Sequence, residues 1–397
     1  MNKIGIVGQG YVGLPLAIEA ARYGYSVVGI DIDIKKVDQL NNGYSEIEDV
    51  SRADLAKAIA EKKYRASNLF SEIKDADVIV ICVPTPLNRD NKPDLSALSA
   101  AVEAIAKVMK KGVLIILEST VEPQTTRNFL VPLLEKASGI SKKEFDVAFS
   151  PERIDPTNKS WTIKNTSKLV AGIDSKSRIK AASFYSNFID EVIECESLEV
   201  AETAKLLENA FRLVNISFIN ELSIFCDFIN IDVLKVIHAA STKPYGFMPF
   251  YPSAGVGGHC IPIDPMYLAN KARSVGAPTR MIDIAAEINK DMPIHIVSRA
   301  KKALGSLKNK KILIVGVSYK PNIADTRETP AEKLISNLQE SGAEVYWHDE
   351  LVNKWKGVDS TPLSDQFDLA ILATHHDYID LNKLGQVKIL DTRNSIL

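Results

Sequence analysis

The chain has 397 residues, of which 46% are hydrophobic and 25% charged, with a formal net charge of −2. That length points to two or three domains rather than one core. The near-neutral balance excludes a basic nucleic-acid binder and offers no pull toward a membrane surface. Four cysteines (Cys82, Cys195, Cys226, Cys260) lie far apart with no C-x-x-C pair. This argues against a disulfide framework or a metal site and fits a reducing cytoplasm. The N-terminal apolar run passes straight into glycines, unlike a signal peptide, and no apolar run approaches the ~18 residues of a membrane span.

Lys3 to Val7 reads as a buried strand feeding Gly8-Gln9-Gly10-Tyr11-Val12-Gly13, a G-x-G-x-x-G match. Leu14, Ile18 and Ala21 share one face of the helix that follows, and Gly24 closes it. Ser26 to Ile30 is a second strand, ending at Asp31. Strand, glycine turn, helix and acid together form the dinucleotide fingerprint. Gly8 allows the tight turn, Gly10 lets a pyrophosphate reach the helix N-terminus, and Gly13 permits close helix–strand packing. Asp31 is placed to accept hydrogen bonds from a ribose and to repel a 2′-phosphate, favouring NAD over NADP. Lys36 either borders that ribose or is a solvated helix charge.

Ala76 to Val83 and Gly112 to Leu117 are further buried strands. Thr85 and Thr120 follow them, at the strand ends where open α/β sheets bind ligands, although a turn hydroxyl bonding its own backbone reads the same way. Asp146 to Ser150 is expected to be the last strand of this half. Glu152, just beyond it, is either an acid/base candidate or one half of an ion pair.

From Glu199 to Asn230 the chain is free of Gly and Pro and predicts one long helix or two abutting ones. Glu202, Lys205, Asn209 and Arg212 make a polar stripe, while Ala201, Leu207, Ala210, Leu213, Val214, Phe218 and Phe225 are apolar on several sides. A mostly buried helix is expected, whose Lys205, Asn209, Arg212, Asn215, Asn220 and Glu221 must find ligand or partner groups. Thr242 to Tyr251 is an aromatic, Pro-rich loop around Lys243, suited to a sugar and its nucleotide or simply to packing. It leads into S-A-G-V-G-G-H-C-I-P-I-D-P (253–265). Here Gly255, Gly257 and Gly258 let a ligand approach the backbone, and Cys260 stands four residues before Asp264. An open thiol near a carboxylate suits nucleophilic catalysis; a buried structural cysteine is the alternative. Met281 to Lys290 is a further helix.

At Lys310 a second, smaller α/β unit begins, with strands at Lys311–Val315, Glu344–His348, Leu369–Ala373 and Val387–Leu390 and a helix starting near Pro330. Its first turn has only one glycine, so no second dinucleotide fingerprint is expected. Lys320 and Arg327 are cations suited to phosphates.

G-x-G-Y-V-G-L-P-L-A, V-P-T-P, S-T-V-x-P, S-P-E-R, the K-x-x-x-N helix, G-V-G-G-H-C-I-P-I-D-P and Y-K-P-N-I-A-D-T-R-E occur in order along nearly the whole chain. Together they resemble the UDP-glucose/GDP-mannose dehydrogenase family. The resemblance implies two doubly wound, Rossmann-like domains joined by a long central helix. It divides the chain into an NAD-binding domain over 1–196, a central dimerisation and active-site region over 197–300, and a UDP-sugar-binding domain over 308–397. It implies oxidation of a sugar C6 alcohol to a carboxylate with two NAD per turnover. The long buried helix between two domains suggests a homodimer or higher homo-oligomer formed through it. Cys260 would carry the thiohemiacetal and thioester, Lys205 and Asn209 would stabilise the oxyanion, Asp264 and Thr120 would handle water or protons, and Glu152 would assist hydrolysis. Tyr11, Val12, Asp31, Lys36, Thr85, Thr120 and Arg327 would contact NAD. Glu152, Arg153, Lys205, Asn209, Arg212, Lys243, Gly255, His259 and Lys320 would contact the UDP-sugar.

UDP-glucose members carry G-G-S-C-F-P-K-D, whereas this chain has G-G-H-C-I-P-I-D, with His259 before Cys260 and Ile263 before Asp264. That version resembles enzymes acting on UDP-N-acetylhexosamines, UDP-N-acetylglucosamine first. Ser253-Ala254 replaces a usual Gly-Pro, Gln124 stands where Gly is usual, and Pro156 follows Asp155 in place of a second acid. Two other classes stay open: a two-electron hydroxyacid dehydrogenase, and a non-catalytic nucleotide-sugar-binding protein.

Overall fold

Six parallel strands start the first sheet: β1 (Lys3–Val7), β2 (Ser26–Ile30), β3 (Tyr64–Ser67), β4 (Val78–Ile81), β5 (Leu114–Leu117) and β6 (Asp146–Phe149), arranged β3-β2-β1-β4-β5-β6. The chain reverses direction across β1, between β2 and β4, which creates the crevice where such sheets bind ligands. Alternate residues of each strand point to opposite faces. Ile4, Ile6, Val78 and Val80 join α1 (Gly13–Tyr23), α3 (Arg52–Ala60) and α6 (Ser175–Tyr185) in one core, while α2 (Ile34–Asn41) lies between α1 and α3 in sequence. Ile79, Ile81, Ile115 and Leu117 join α4 (Ser96–Ala106) and α5 (Val131–Ser138) in the other. Burial on both faces explains why these strands read as unbroken apolar runs.

The sheet does not end at β6, as the sequence suggests. β7 (Lys168–Gly172) pairs antiparallel with β6, and β8 (Val192–Glu194) runs parallel to β7. Leu169, Val170 and Ala171 are buried in the core of this unit.

The described residues are 2–47, 49–155, 158 and 160–393 of this computed structural model. They form two compact units, Met1–Leu207 and Glu208–Leu397, with the division inside α7 (Leu198–Phe228). The second unit holds the rest of α7, α8 (Val233–Ser241), α9 (Asp264–Ser274) and α10 (Arg280–Leu304), which extends the expected 281–290 helix through Pro293. Beyond them, β9 (Lys311–Val315), β10 (Glu344–His348), β13 (Leu369–Leu372) and β14 (Ile389–Asp391) form a parallel sheet ordered β10-β9-β13-β14. α11 (Pro330–Glu340) and α10 cover one face, and a small ribbon, β11 (Lys354–Trp355) with β12 (Val358–Asp359), completes the unit. The expected α/β class with two doubly wound units holds.

α7 is less buried than its composition suggests. Leu213, Ile219 and Cys226 enter the core, but Phe211, Phe218, Phe225 and Phe228 are exposed, Phe218 by 60% and Phe228 by 85%. Apolar periodicity alone does not distinguish a core face from one left at the surface. No helix among the described residues is long and apolar enough to cross a membrane.

Candidate active site

The β1–α1 turn is built for a dinucleotide. Gly8 has φ 94°, and a Cβ there would meet the Cys82 carbonyl oxygen at 2.5 Å; a Cβ on Gly13 would meet the Gly8 carbonyl at 1.9 Å. Only glycine fits either position. At Gly10 an added Cβ would meet nothing within 4 Å, so that backbone borders open space. α1 begins without a side-chain cap, leaving its first N–H groups for an anion. Tyr11 is exposed at this turn, and Val12 occupies the N-cap position. Asp31 accepts from Gln9 N at 3.0 Å and from Asp33 N at 3.0 Å, and Lys36 Nζ lies 3.0 Å from its Oδ2. Lys36 is therefore tied to the acid rather than simply solvated. Buried Gln9 went unnoticed in the sequence: its amide donates to Ile6 O and accepts from the Tyr64 hydroxyl, pinning the turn over Gly29. These groups fit NAD.

At the neighbouring strand ends, the Thr85 hydroxyl donates to Thr120 O at 2.7 Å, so the two expected threonines meet. Glu152 Oε1 accepts from the backbone N–H groups of Arg153 (2.7 Å) and Ile154 (2.6 Å), and its Oε2 lies 3.0 Å from Lys168 Nζ. Burial alone would raise this carboxyl's pKa. Lys168, the Ile154 N–H and Lys205 outweigh it and hold Glu152 below the usual range. Lys205 thus bears on Glu152 from α7, and Arg153 donates to Ser167 O at 2.8 Å.

Two polar residues of α7, Glu202 of the stripe and Asn220 beyond it, prove structural. Glu202 is fully buried and accepts from Gln124 N (2.6 Å) and Thr126 N (2.9 Å). Gln124 has φ 79°, in the left-handed region that favours glycine, which accounts for the glycine usual at that position. Asn220 accepts from Ser253 N at 2.9 Å and donates to Asn289, which in turn donates to Ser217. Its partner is the loop that leads to Cys260, not a ligand. Arg212 is exposed, and Asn215 donates to Phe211 O within its own helix.

In the second unit Cys260 is exposed, and its carbonyl accepts from Ile263 N (3.2 Å) and Asp264 N (2.9 Å) as α9 begins. Asp264 is buried and accepts from Asn209 Nδ2 at 2.5 Å. Amide and carboxylate thus meet, with exposed Cys260 four residues before the acid. The glycines before them serve close packing: a Cβ at Gly255 (φ 127°) would sit 3.0 Å from Asn289 O, one at Gly257 2.7 Å from Glu328 O, and one at Gly258 2.6 Å from the Tyr319 ring. Ser253, where Gly-Pro is usual, accepts from Gly255 N through its hydroxyl at 3.2 Å. His259 is exposed beside Cys260. Partial dehydration and the Arg327 charge lower its pKa against the opposing pull of Asp325 and Glu328. Arg327 grips both Asp325 oxygens through Nε, at 2.8 and 2.9 Å. Lys320 O accepts from the Ser318 hydroxyl, and Lys243 stacks over Tyr245 at 5.0 Å. Pro156 lies outside the described residues.

Three family models cover the chain in sequence. The NAD-binding domain of the UDP-glucose/GDP-mannose dehydrogenase family matches residues 2–189, its central domain 199–291 and its UDP-binding domain 313–396. The chain belongs to this family. It is an NAD-dependent nucleotide-sugar 6-dehydrogenase. It is 35% identical to the UDP-N-acetyl-D-glucosamine 6-dehydrogenase of Pseudomonas aeruginosa, over 97% of this chain and 94% of that one. It is 34% identical to the UDP-N-acetyl-D-mannosamine dehydrogenase of Methanococcus maripaludis, over 99% and 93%. Among solved structures, the UDP-D-ManNAc dehydrogenase of Pyrococcus horikoshii superposes with a TM-score of 0.91 at 31% identity, covering 100% of this chain and 96% of that one.

Proposed function

We propose that the protein oxidises the C6 hydroxyl of a UDP-N-acetylhexosamine, UDP-N-acetylglucosamine first, to the uronic acid through a thioester on Cys260. The observation that carries this reading is an exposed thiol one helical turn before a buried carboxylate that Asn209 holds in place. NAD at the Gly8–Gly13 turn supplies the hydride acceptor for both oxidations. The Cys260 sulfur adds to the aldehyde carbon. Lys205 and Asn209 stabilise the oxyanion, Asp264 and Thr120 position water or relay protons, and Glu152 assists thioester hydrolysis. Arg153, Arg212, Lys243, Gly255, His259 and Lys320 contact the nucleotide sugar, and Tyr11, Val12, Asp31, Lys36, Thr85 and Arg327 contact NAD. Four cysteines with no disulfide among the described residues suit a cytoplasmic enzyme. Phe211, Phe218 and Phe225, spaced by seven along α7, support a homodimer through that face.

The sugar assignment rests on the H-C-I-P-I-D loop. A site that pairs with a 2-acetamido group leaves buried groups unsatisfied when glucose binds. UDP-N-acetylmannosamine is the second reading, favoured by the 0.91 TM-score to the Pyrococcus horikoshii enzyme. The test supplies N-acetylated UDP-sugars and UDP-glucose to purified protein and counts NADH. Two NADH per sugar, loss of acid formation in Cys260→Ala and poor use of UDP-glucose are expected. UDP-glucose turned over more efficiently than every N-acetylated sugar would reject the assignment.

A further inference from the structure

Lys168 is the first residue of β7, and because β7 runs against β6 it stands at the sheet end where β6 finishes and Glu152 follows. Its side chain is only 4% exposed, and its ammonium lies 3.1 Å from Glu118 Oε1 and 3.0 Å from Glu152 Oε2. Glu118, just after β5, accepts from the Tyr185 hydroxyl of α6, and the Cys82 thiol after β4 is 4.0 Å from its other oxygen. Lys205 on α7 is the second cation acting on Glu152. With Lys168 and Glu118 shielded from solvent, pairing fixes their orientation, while Glu152 keeps 13% exposure. A carboxylate offers about four acceptor positions. On Glu152 two backbone N–H groups occupy Oε1 and Lys168 takes one place on Oε2, which leaves one position on Oε2 for a water.

We propose that Lys168, braced by Glu118 and Tyr185, is a positioning residue that aims Glu152 Oε2 at the water that hydrolyses the Cys260 thioester. The proposal rests on the reaction described above and adds a residue that the family motifs do not include. In the step it serves, water oxygen bonds to the thioester carbon, the carbon–sulfur bond breaks, Cys260 leaves as thiolate and the water proton passes to Glu152. The charges agree with the geometry. Burial and the Glu152 charge push Glu118 up, while Lys168, itself raised by its two carboxylates despite burial, helps to keep Glu152 ionised.

Lys168→Met alone would strand two buried carboxylates, so the main variant is Lys168→Met/Glu118→Gln, which removes one charge of each sign. In this variant Glu152 loses Lys168, the cation bonded to it, and keeps only Lys205, so its pKa rises and its assistance disappears as pH falls through the raised value. The expected result is that the folded double variant forms acid about tenfold or more slowly than wild type. Intact-mass measurement should detect sugar bound to Cys260 at the acid end of the enzyme's working pH range, fading toward the alkaline end, while Lys168→Arg behaves as wild type. Glu152→Gln, a neutral isostere, should hold the adduct across that whole range. Absence of adduct in Glu152→Gln overturns the proposal, as does a folded double variant with the wild-type pH profile. Wild-type protein that reduces no NAD with any UDP-sugar overturns the reaction and this proposal together; an active wild type with unaltered variants overturns this proposal alone.

Discussion

Each of the two sheets opens with a strand, a glycine turn and a second strand ending in aspartate. The correspondence is close. Gly8 N donates to Ile30 O at 2.7 Å and Gly316 N to His348 O at 2.8 Å. Both glycines have positive φ, 94° and 83°, and a Cβ on either would strike a carbonyl oxygen, that of Cys82 at 2.5 Å or Thr374 at 2.3 Å. In both, the aspartate accepts from the residue after the glycine: Asp31 from Gln9 N at 3.0 Å, Asp349 from Val317 N at 2.9 Å. They diverge in what surrounds that acid. In the first unit the turn runs straight into α1, Gly10 borders open space and Asp31 is 9% exposed. In the second, α11 starts only at Pro330, Ser318 stands where Gly10 would be, and Asp349 is 1% exposed beneath His376. His376 Nδ1 accepts from Asn322 N, so Nε2 carries the hydrogen that it donates to Asp349. One backbone device thus yields a ligand cradle in one unit and a structural pin in the other.

The largest expected effect is at the pin. Asp349 also accepts from Ser318, Leu351 and Val352 N–H groups, and Asp349→Ala strands them with His376. A loss of about 3 kcal/mol or more is expected in urea unfolding. Burial alone would raise the Asp349 pKa, but His376 and the backbone donors outweigh it and hold it low. Its contribution is therefore fully present above the ordinary carboxylate value near about 4 and is lost as pH falls below that. The gap between Asp349→Ala and wild type should narrow in that acid range. A gap that stays constant with pH would show that the shape of the side chain, not its charge, holds the turn.

At the cradle the effect moves from stability to ligand. Asp31→Ala strands two backbone N–H groups, one of them buried, where Asp349→Ala strands four and a histidine, and is expected to cost about 1–2 kcal/mol of stability. NAD affinity should fall about tenfold or more, and the wild-type preference for NAD over NADP, itself at least roughly tenfold, should shrink. Asp31→Ala that unfolds like Asp349→Ala would erase the distinction between the two turns. Gly10→Ala is a smaller and cleaner probe. Its Cβ meets no protein atom, so the melting temperature should not move, while a methyl group at the pyrophosphate approach weakens NAD binding by several-fold. Unchanged NAD affinity would place the pyrophosphate elsewhere.

The cradle was legible in the sequence because its parts sit within about 30 residues in a fixed order, and the Cys260 loop because its glycines and acid are local. The pin was not. Asp349 and His376 are 27 residues apart and meet only when β10 and β13 flank β9. Lys168 and Glu118 were missed for a similar reason: a charged residue at the end of an apolar run looks solvated until a strand in the opposite direction buries it. Gln124 was legible as a departure but not as strain, since only the backbone reveals its φ of 79°. On α7, composition showed that Asn209 and Asn220 need partner groups, but only the fold names them as Asp264 and Ser253.

The finest difference lies in the side chain that each acid holds. His376 meets Asp349 as a buried donor, whereas Lys36 reaches Asp31 from a side chain that is 37% exposed. A pair that open to water is worth about 0–1 kcal/mol, so Lys36→Met should leave the melting temperature nearly unchanged. Its effect should appear in cofactor choice. A ribose 2′-hydroxyl needs only the Asp31 oxygens, but a 2′-phosphate brings negative charge against them, and in the wild type Lys36 offsets part of that repulsion. Without Lys36 the repulsion is felt in full, while NAD loses little. The ratio of kcat/KM for NAD to that for NADP should therefore rise about threefold, the scale of an exposed pair, and more at low salt, where screening is weaker. A ratio that stays level or falls would mean that Lys36 does not counter Asp31 toward the cofactor and serves only to order the start of α2.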